Sequence, residues 1–306
     1  MLAESVTISA HKGGVLALAM NSDGQYCLSG GEDRRIVLWN PRREDQTPIK
    51  EYTGHSNRVL DISVAPDNRS FASCGGDRAV FLWDVPSGRV TRRLQGHTQR
   101  VNSVAYNDDA SVLVSGSYDT SVRCWDCRSR NISPVQVMSE SADSISSVAV
   151  REHEIFSASV DGTVRCYDLR KGSVTSDVVG VPVTHLCLSR DGHCVLIAGL
   201  DSRLRLMDKA TGQALNEYTG HVNESTKIPC SLSFDDARVV SGSEDGSLHV
   251  WDLVEAKTIQ RCAAHRGALT ALACSPHNAE VLTGAYDGTI KLWAPTSGPA
   301  MPKTIG

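Results

Sequence analysis

The chain reads as short apolar stretches of about six residues separated by polar turns, and within most stretches apolar and polar positions alternate. A period of two predicts strands with one buried face. Val101 to Tyr106 is such a run, and a second short apolar strand lies just ahead of Asp119. After that aspartate, Val122 and Cys124 alternate with Arg123; Arg165, Arg205 and Lys291 interleave in the same way further on. No helical period persists, so the chain is predicted to be all-β.

The strands belong to a repeat. Asp33, Asp77, Asp119, Asp161, Asp201, Asp245 and Asp287 follow one another at intervals of 40 to 44 residues. Six residues after each stands Trp39, Trp83, Trp125, Tyr167, Met207, Trp251 or Trp293, which uses every tryptophan in the chain. Three residues after each the side chain is aliphatic: Ile36, Val80, Val122, Val164, Leu204, Leu248 or Ile290. Seven units of this length account for almost the whole chain, and each is predicted as four short strands.

Units open on His11, His55, His97, His221 or His265, each after Gly or Ala, and three close on Trp83-Asp84, Trp125-Asp126 and Trp251-Asp252. Repeats with these marks resemble the WD-repeat family, and the resemblance implies a seven-bladed β-propeller. The last unit stops after its third strand at Trp293, while Ser5 to Ser9 precede the first unit like an orphan fourth strand. The expected organisation is one propeller over 1–294, its ring closed by the N-terminal strand (1–9 completes the last blade), then a short polar tail, 295–306. Closure removes the sheet edges that would otherwise be exposed.

Four residues before the aspartate stands Ser29, Ser73, Ser115, Ser157, Ser241 or Thr283, with Ile197 in the fifth unit. The histidine lies 22 residues before it, or 24 for His221. Hydroxyl, imidazole and carboxylate are the parts of a nucleophilic triad. An enzyme needs one such set, whereas here it would occur five times, each beside a tryptophan, which reads as architecture. In an up-down blade the turn between strands two and three lies at the same end as the loop between units, so His and Asp meet. By resemblance these are structural tetrads: His11, Ser29, Asp33 and Trp39; His55, Ser73, Asp77 and Trp83; His97, Ser115, Asp119 and Trp125; His221, Ser241, Asp245 and Trp251; His265, Thr283, Asp287 and Trp293. Units four and five lack the entrance histidine, and their tryptophan gives way to Tyr167 and Met207, so their blades are expected to be the softest. No catalytic residue is expected.

Cys124 and Cys127 form a CxxC, but Cys124 occupies the column held elsewhere by Leu38, Leu82 and Val250, and no second pair stands at a usable spacing. Cys74 falls where other units have Gly30, Gly116 or Ala158, so cysteine acts here as a small hydrophobe. The ten cysteines are expected to be free thiols. There is no P-loop, dinucleotide fingerprint or HExxH, so no metal, cofactor or small-molecule substrate is expected. With 31 basic and 35 acidic residues the net charge is -4, which gives no bulk positive field for a phosphate backbone, and direct nucleic-acid binding is not expected. The longest apolar runs fall far short of the roughly 20 residues of a membrane span.

Function then rests on loops presented by a rigid disc, for which the default is protein binding. The face with the inter-unit loops offers Glu32, Arg58, Arg100, Tyr118, Glu244 and Tyr286. Unit six adds a longer loop there, with Asn223, Glu224 and Lys227: eleven residues from His221 to Leu232 stand against seven from His97 to Val104, an apparent insertion of four. The runs SVRCWDCRSR (Ser121 to Arg130), DGTVRCYDLRKG (Asp161 to Gly172), LSRDG (Leu188 to Gly192), LDSRLRLMD (Leu200 to Asp208) and GHVNESTK (Gly220 to Lys227) resemble the mitogen-activated protein kinase organizer family. That resemblance spans roughly residues 10–293. It implies a non-enzymatic scaffold for MAP kinase cascade components, also associated with the spliceosome, found in cytoplasm and nucleus, and a monomer within larger complexes. A second reading is a substrate receptor of a cullin-4 ubiquitin ligase, through the Trp-Asp-x-Arg residues Asp126 and Arg128 and a weaker copy at Asp168 and Arg170, on the opposite face.

Overall fold

The computed structural model describes residues 1–296, and among them every regular element is a strand. The strands form seven antiparallel four-stranded sheets, one per sequence unit. In the first, Val15–Met20, Cys27–Gly31, Arg35–Trp39 and Lys50–Thr53 pair in chain order, and the next five sheets repeat the plan. The seventh combines Leu269–Cys274, Val281–Ala285 and Thr289–Pro295 with Leu2–Ser9 from the other end of the chain. The chain is an all-β, seven-bladed propeller whose ring is closed by its N-terminal strand.

Closure is antiparallel, from Leu2 opposite Pro295 to Ser9 opposite Thr289. Leu2 and Ile8 are buried, and Gln260 of the sixth blade brackets Leu2, accepting from its N–H and donating to its carbonyl, both at 2.6 Å. Pairing runs one residue past the expected boundary at 294, to Pro295, and the Thr296 N–H donates to the Met1 carbonyl at 2.8 Å. Positions 297–306 of the polar tail lie outside the described residues.

Each blade is a sheet with two apolar faces, and each face is covered by a neighbouring blade, so the core is divided among the junctions. At the first junction Leu28 and Ile36 of one blade meet Val59, Ile62, Phe71 and Trp83 of the next. Equivalent clusters fill the remaining six junctions. Such close approach constrains the second strand: a Cβ at Gly30 would lie 2.6 Å from Val59 Cγ1. The corresponding Gly116 sits as tightly against Ile145, at 2.5 Å.

Two local irregularities shape the end of the disc that carries the repeat aspartates. In six blades the first strand bulges after its first residue, which releases one side chain from the ladder into the central channel. The released residues are Leu16, Leu60, Asn102, Ser146, Thr184 and Thr270, all of which line the channel mouth. Asn102 donates to the Ile145 carbonyl (2.7 Å) and Ser146 to the Val183 carbonyl (2.7 Å), stitching successive blades around the hole. The second irregularity is the turn after each repeat aspartate, where Arg34, Arg78, Thr120, Gly162, Ser202, Gly246 and Gly288 all adopt positive φ.

Deleting residues 1–9 removes a whole strand and the buried Leu2 and Ile8, each worth about 1.5–3 kcal/mol. The melting temperature is expected to fall by at least about 5 °C, with oligomers appearing in light scattering. The left-handed turns give a second expectation. Thr120 is β-branched at φ 67°. Thr120→Gly relieves about 1–2 kcal/mol of backbone strain against about 0.5–1 kcal/mol of glycine entropy, so stability in a urea titration rises by up to about 1 kcal/mol. Gly246→Thr drives a Cβ to within 2.4 Å of the His265 carbonyl oxygen and is strongly destabilising.

Candidate functional site

The turn that carries each aspartate and the loop that carries each histidine emerge at the same end of the disc, and side-chain networks join them. In the first blade His11 Nδ1 is 2.8 Å from Asp33 Oδ1, His11 Nε2 is 2.8 Å from Ser29 Oγ, and the Trp39 indole donates to that same oxygen at 2.9 Å. The second blade repeats this with His55, Asp77 (2.8 Å), Ser73 (2.6 Å) and Trp83 (2.8 Å). The third does so with His97, Asp119 (2.9 Å), Ser115 (2.8 Å) and Trp125 (2.8 Å). A carboxylate can only accept, so Nδ1 carries the proton, Nε2 accepts from the hydroxyl, and the hydroxyl oxygen accepts from the indole. Each aspartate also accepts the N–H that follows the histidine, from Lys12, Ser56 or Thr98, which pins the inter-blade loop to the turn.

Burial opposes ionisation of Asp119, but bonds from His97, Ser121 and Thr98 outweigh it and hold the carboxyl well below its usual range. Burial in turn lowers the pKa of His97 against the pull of Asp119, so the imidazole is neutral. Ser29, Ser73 and Ser115 are wholly buried with their oxygens committed to imidazole and indole. A nucleophile needs an approach for its substrate, and these hydroxyls have none.

The remaining sets depart from that plan. In the seventh blade His265 keeps Thr283 (2.8 Å) and Trp293 still donates to Thr283 (2.9 Å). Its Nδ1, however, faces Thr289 Oγ1 at 3.0 Å, with Asp287 at 3.4 Å. The sixth blade corrects the sequence expectation: His221, Ser241, Asp245 and Trp251 form no tetrad. Both His221 ring nitrogens are buried without a partner, and the Trp251 indole donates to the Thr219 carbonyl at 3.0 Å. Ser241 Oγ donates to main-chain carbonyls, and Asp245 accepts from Ser247 and Arg261. The cause is His249, four residues after Asp245. Its ring lies flat on Trp251 with centroids 5.3 Å apart and bonds Ser247 at 2.9 Å, while Ser243 receives the Val222 N–H in place of the aspartate.

Blades four and five carry an anchor that sequence reading missed. Arg165 folds back to donate to Asp161 (3.0 Å) and Ser141 (3.0 Å), and Asp161 accepts the Ala142 N–H. Arg205 likewise donates to Asp201 at 3.1 Å. The signal is an arginine four residues after an aspartate whose unit has no entrance histidine. In the fourth blade Tyr167 Oη and Ser157 Oγ remain buried without partners.

The candidate face divides into structural and free residues. Asn223 is corrected: it is fully buried, and its Nδ2 lies 3.3 Å from Thr184 Oγ1. Glu244 accepts the N–H groups of Glu224 (3.0 Å), Ser225 (2.7 Å) and Thr226 (2.8 Å), so it shapes the long loop. Glu32 does the same for Gly14 at 3.1 Å. Lys227 turns into the channel and donates to the carbonyls of Ser146 (2.9 Å) and Asn102 (3.3 Å). Arg58 lines the channel mouth, Arg100 lies over the Tyr118 ring at 4.5 Å, and Tyr118 and Tyr286 are 47% and 43% exposed. The loop is also shorter than counted. Cys230 faces Ser241 as Val104 faces Ser115, so the insertion is two residues, matching the His-to-Asp spacing of 24 against 22.

On the other face, Asp126 accepts the Arg128 N–H at 2.9 Å, Arg128 donates to Asp109 at 2.8 Å, and Asp168 accepts the Arg170 N–H at 3.0 Å. Burial pushes the Cys124 thiol up to about 12 and Cys127 to about 11, which suits apolar packing rather than a thiolate ligand. His153, Glu154 and Asp168 converge there as well, but Arg170, Lys171 and Lys209 already occupy their ring nitrogen and carboxylates.

The sequence profile of the WD domain, G-beta repeat, matches residues 3–40, 46–84, 88–126, 212–252 and 256–294. The longest stretch it skips, 127–211, holds the fourth blade and the first three strands of the fifth. The chain is 50% identical over 287 residues to WD repeat domain-containing protein 83 of Rattus norvegicus, covering 94% of this chain and 90% of that protein. The human protein of that name is 49% identical over the same shares. The WD repeat domain-containing protein 83 homolog of Dictyostelium discoideum is 31% identical over 94% of this chain and 96% of its own length.

The contrast between blades three and six predicts unequal mutants. His97→Leu strands Asp119 and Ser115 and is expected to cost about 1–3 kcal/mol, whereas His221→Leu removes a ring with no partners and changes stability by less than about 1 kcal/mol. Burial first, then His249, lowers the His221 pKa from 6.5 to about 4. A folded value below the unfolded one contributes stability above pH 6.5 that is lost as pH falls toward 4. His221→Leu should therefore flatten the acid side of a melting-temperature profile.

Proposed function

Since the chain belongs to the WD-repeat family, we propose that it is a non-catalytic scaffold that assembles multiprotein complexes on the face carrying the tetrad loops. One observation supports this above the others. The hydroxyl, imidazole and carboxylate groups that could suggest an enzyme are committed to holding loops, and those loops leave Tyr118, Tyr286, Arg58 and Arg100 available at the surface. By resemblance to the mitogen-activated protein kinase organizer family, the partners are MAP kinase cascade components and spliceosomal proteins, and the chain works in cytoplasm and nucleus. The high identity to proteins named WD repeat domain-containing protein 83 over most of both chains is consistent with that family.

The cullin-4 receptor reading uses the opposite face and is the weaker one. The Arg128 side chain is 74% exposed, but its guanidinium is engaged by Asp109, and that of Arg170 by His153. The two readings separate by surface in parallel affinity purifications from one lysate, with thermal melts as the folding control. The combined variant Arg58→Glu, Arg100→Glu, Tyr118→Ala should fold normally and lose kinase or spliceosomal partners, an effect of about 2–5 kcal/mol for charges reversed within an interface. Arg128→Ala with Arg170→Ala should retain them. Loss of those partners only in the second variant overturns the choice of face, and recovery of only a ligase adaptor overturns the scaffold.

A further inference from the structure

The channel mouth on the tetrad-loop side is a funnel of about 400 Å3 to which all seven blades contribute. Its wall carries three cationic side chains, Arg58, Arg100 and Lys227, and no aspartate or glutamate. None of the three belongs to an ion pair among the described residues. That is unusual placement in a chain of net charge -4. Lys227 is the clearest case, because its ammonium is half-buried and held by two neutral carbonyls at 2.9 and 3.3 Å, which orient the charge without neutralising it. Dipoles aimed at a desolvated cation leave it short of a counter-charge.

The loops around the funnel carry both signs, with Lys12, Arg78 and Arg266 exposed among them, and their carboxylates are turned away from the cations. Glu32, Asp143, Glu224 and Glu244 sit on these loops, with Asp143 and Glu224 exposed. Glu32, Glu244 and Asp143 turn a carboxylate oxygen onto backbone N–H groups, of Gly14, of Glu224 to Thr226, and of Ser144, so none of these reaches the cations. A polyanion such as RNA would meet these rim carboxylates along its length. One carboxylate that passes the rim meets the three cations, hydroxyls such as those of Thr226 and Thr270, and an apolar wall that includes Leu16, Leu60 and Leu200, but no second acidic group. Cationic donors of that kind make charge-assisted bonds to a carboxylate.

We propose that the funnel is a docking pocket for an acidic side chain, Asp or Glu, presented by an extended segment of a partner protein, with Arg58, Arg100 and Lys227 as its counter-charges. The proposal rests on the scaffold reading and specifies what a partner brings. Lys227 is the positioning charge at depth, and the two arginines close over the carboxylate from the rim.

The probe is a displayed library of random twelve-residue peptides, selected on the full chain. The expected result is enrichment of Asp or Glu at one fixed position. A synthetic peptide from that pool should bind Lys227→Met and Arg100→Gln at least tenfold more weakly. Asn or Gln at the acidic position should cost the same factor, and the two changes together should not multiply. Arg100 is exposed, so Arg100→Gln keeps the test valid if Lys227→Met fails to fold. Selection without an acidic preference, no enriched peptide, variants that bind unchanged, or a U20 oligonucleotide that displaces the peptide would each overturn the proposal. The scaffold reading fails by a separate result, recovery of no stoichiometric partner from a lysate. If partners are recovered and Lys227→Met retains them at full affinity, the scaffold stands and the funnel proposal falls.

Discussion

Everything in this molecule depends on the ring being closed. A four-stranded blade has two apolar faces, so no blade can bury both unless it has a neighbour on each side, and seven junctions each hold their own cluster of core residues. Seven blades have seven junctions only if the last meets the first. Here one sheet is built from both ends of the chain, with Leu2–Ser9 zipped along Thr289–Pro295 and Gln260 of the sixth blade bracketing Leu2. Opening that seam would expose a strand edge and strip two blades of a partner at once.

Closure also explains why the networks of the first three blades are architectural. A ring of sheets is stiff around its circumference but does not by itself fix the loops at its ends. Those loops are fixed one at a time, by an aspartate that takes both the histidine ring and the next main-chain N–H, and by a histidine that reaches a serine already held by tryptophan. Where the entrance histidine is missing, Arg165 and Asp161 tether the loop at Ser141 and Ala142 in the fourth blade, while in the fifth Arg205 holds Asp201 and the Leu200 N–H reaches the Pro182 carbonyl. Different chemistry meets the same requirement, a turn held against the neighbouring loop. The result is a face whose exposed side chains stand in defined places, which is what a binding surface needs.

Most of this was legible in the sequence because the period is strict and the markers are chemically distinctive. The blade count, the strand order and the closing strand follow from the aspartate spacing and from a last unit one strand short. What was not legible arises where identical residue types sit in altered surroundings. His221, Ser241, Asp245 and Trp251 are the right residues at nearly the right spacing, and they part because His249 occupies the side of Trp251 and Ser243 takes the loop N–H. The loop length misleads because Leu232 resembles Val104 in type and place, and only the pairing of Cys230 with Ser241 shows the true register. Lys227 looked like a surface residue of a polar loop, and no pattern along the chain reveals that it points into the channel. The bulges that turn Asn102, Ser146, Thr184 and Thr270 inward are invisible for the same reason, since a bulge is a property of pairing rather than of composition.

The scaffold reading makes the tetrad-loop face the working surface. Hydroxyl-radical footprinting of a partner complex purified on the native chain tests it without any mutation. Tyr118 and Tyr286 mark that face, and Leu169 (42% exposed) and Val254 (80% exposed) mark the loops between third and fourth strands on the other. The account predicts that labelling of the two tyrosines falls severalfold on complex formation while Leu169 and Val254 react as in the free protein. Protection of Leu169 and Val254 with both tyrosines still labelled would contradict it.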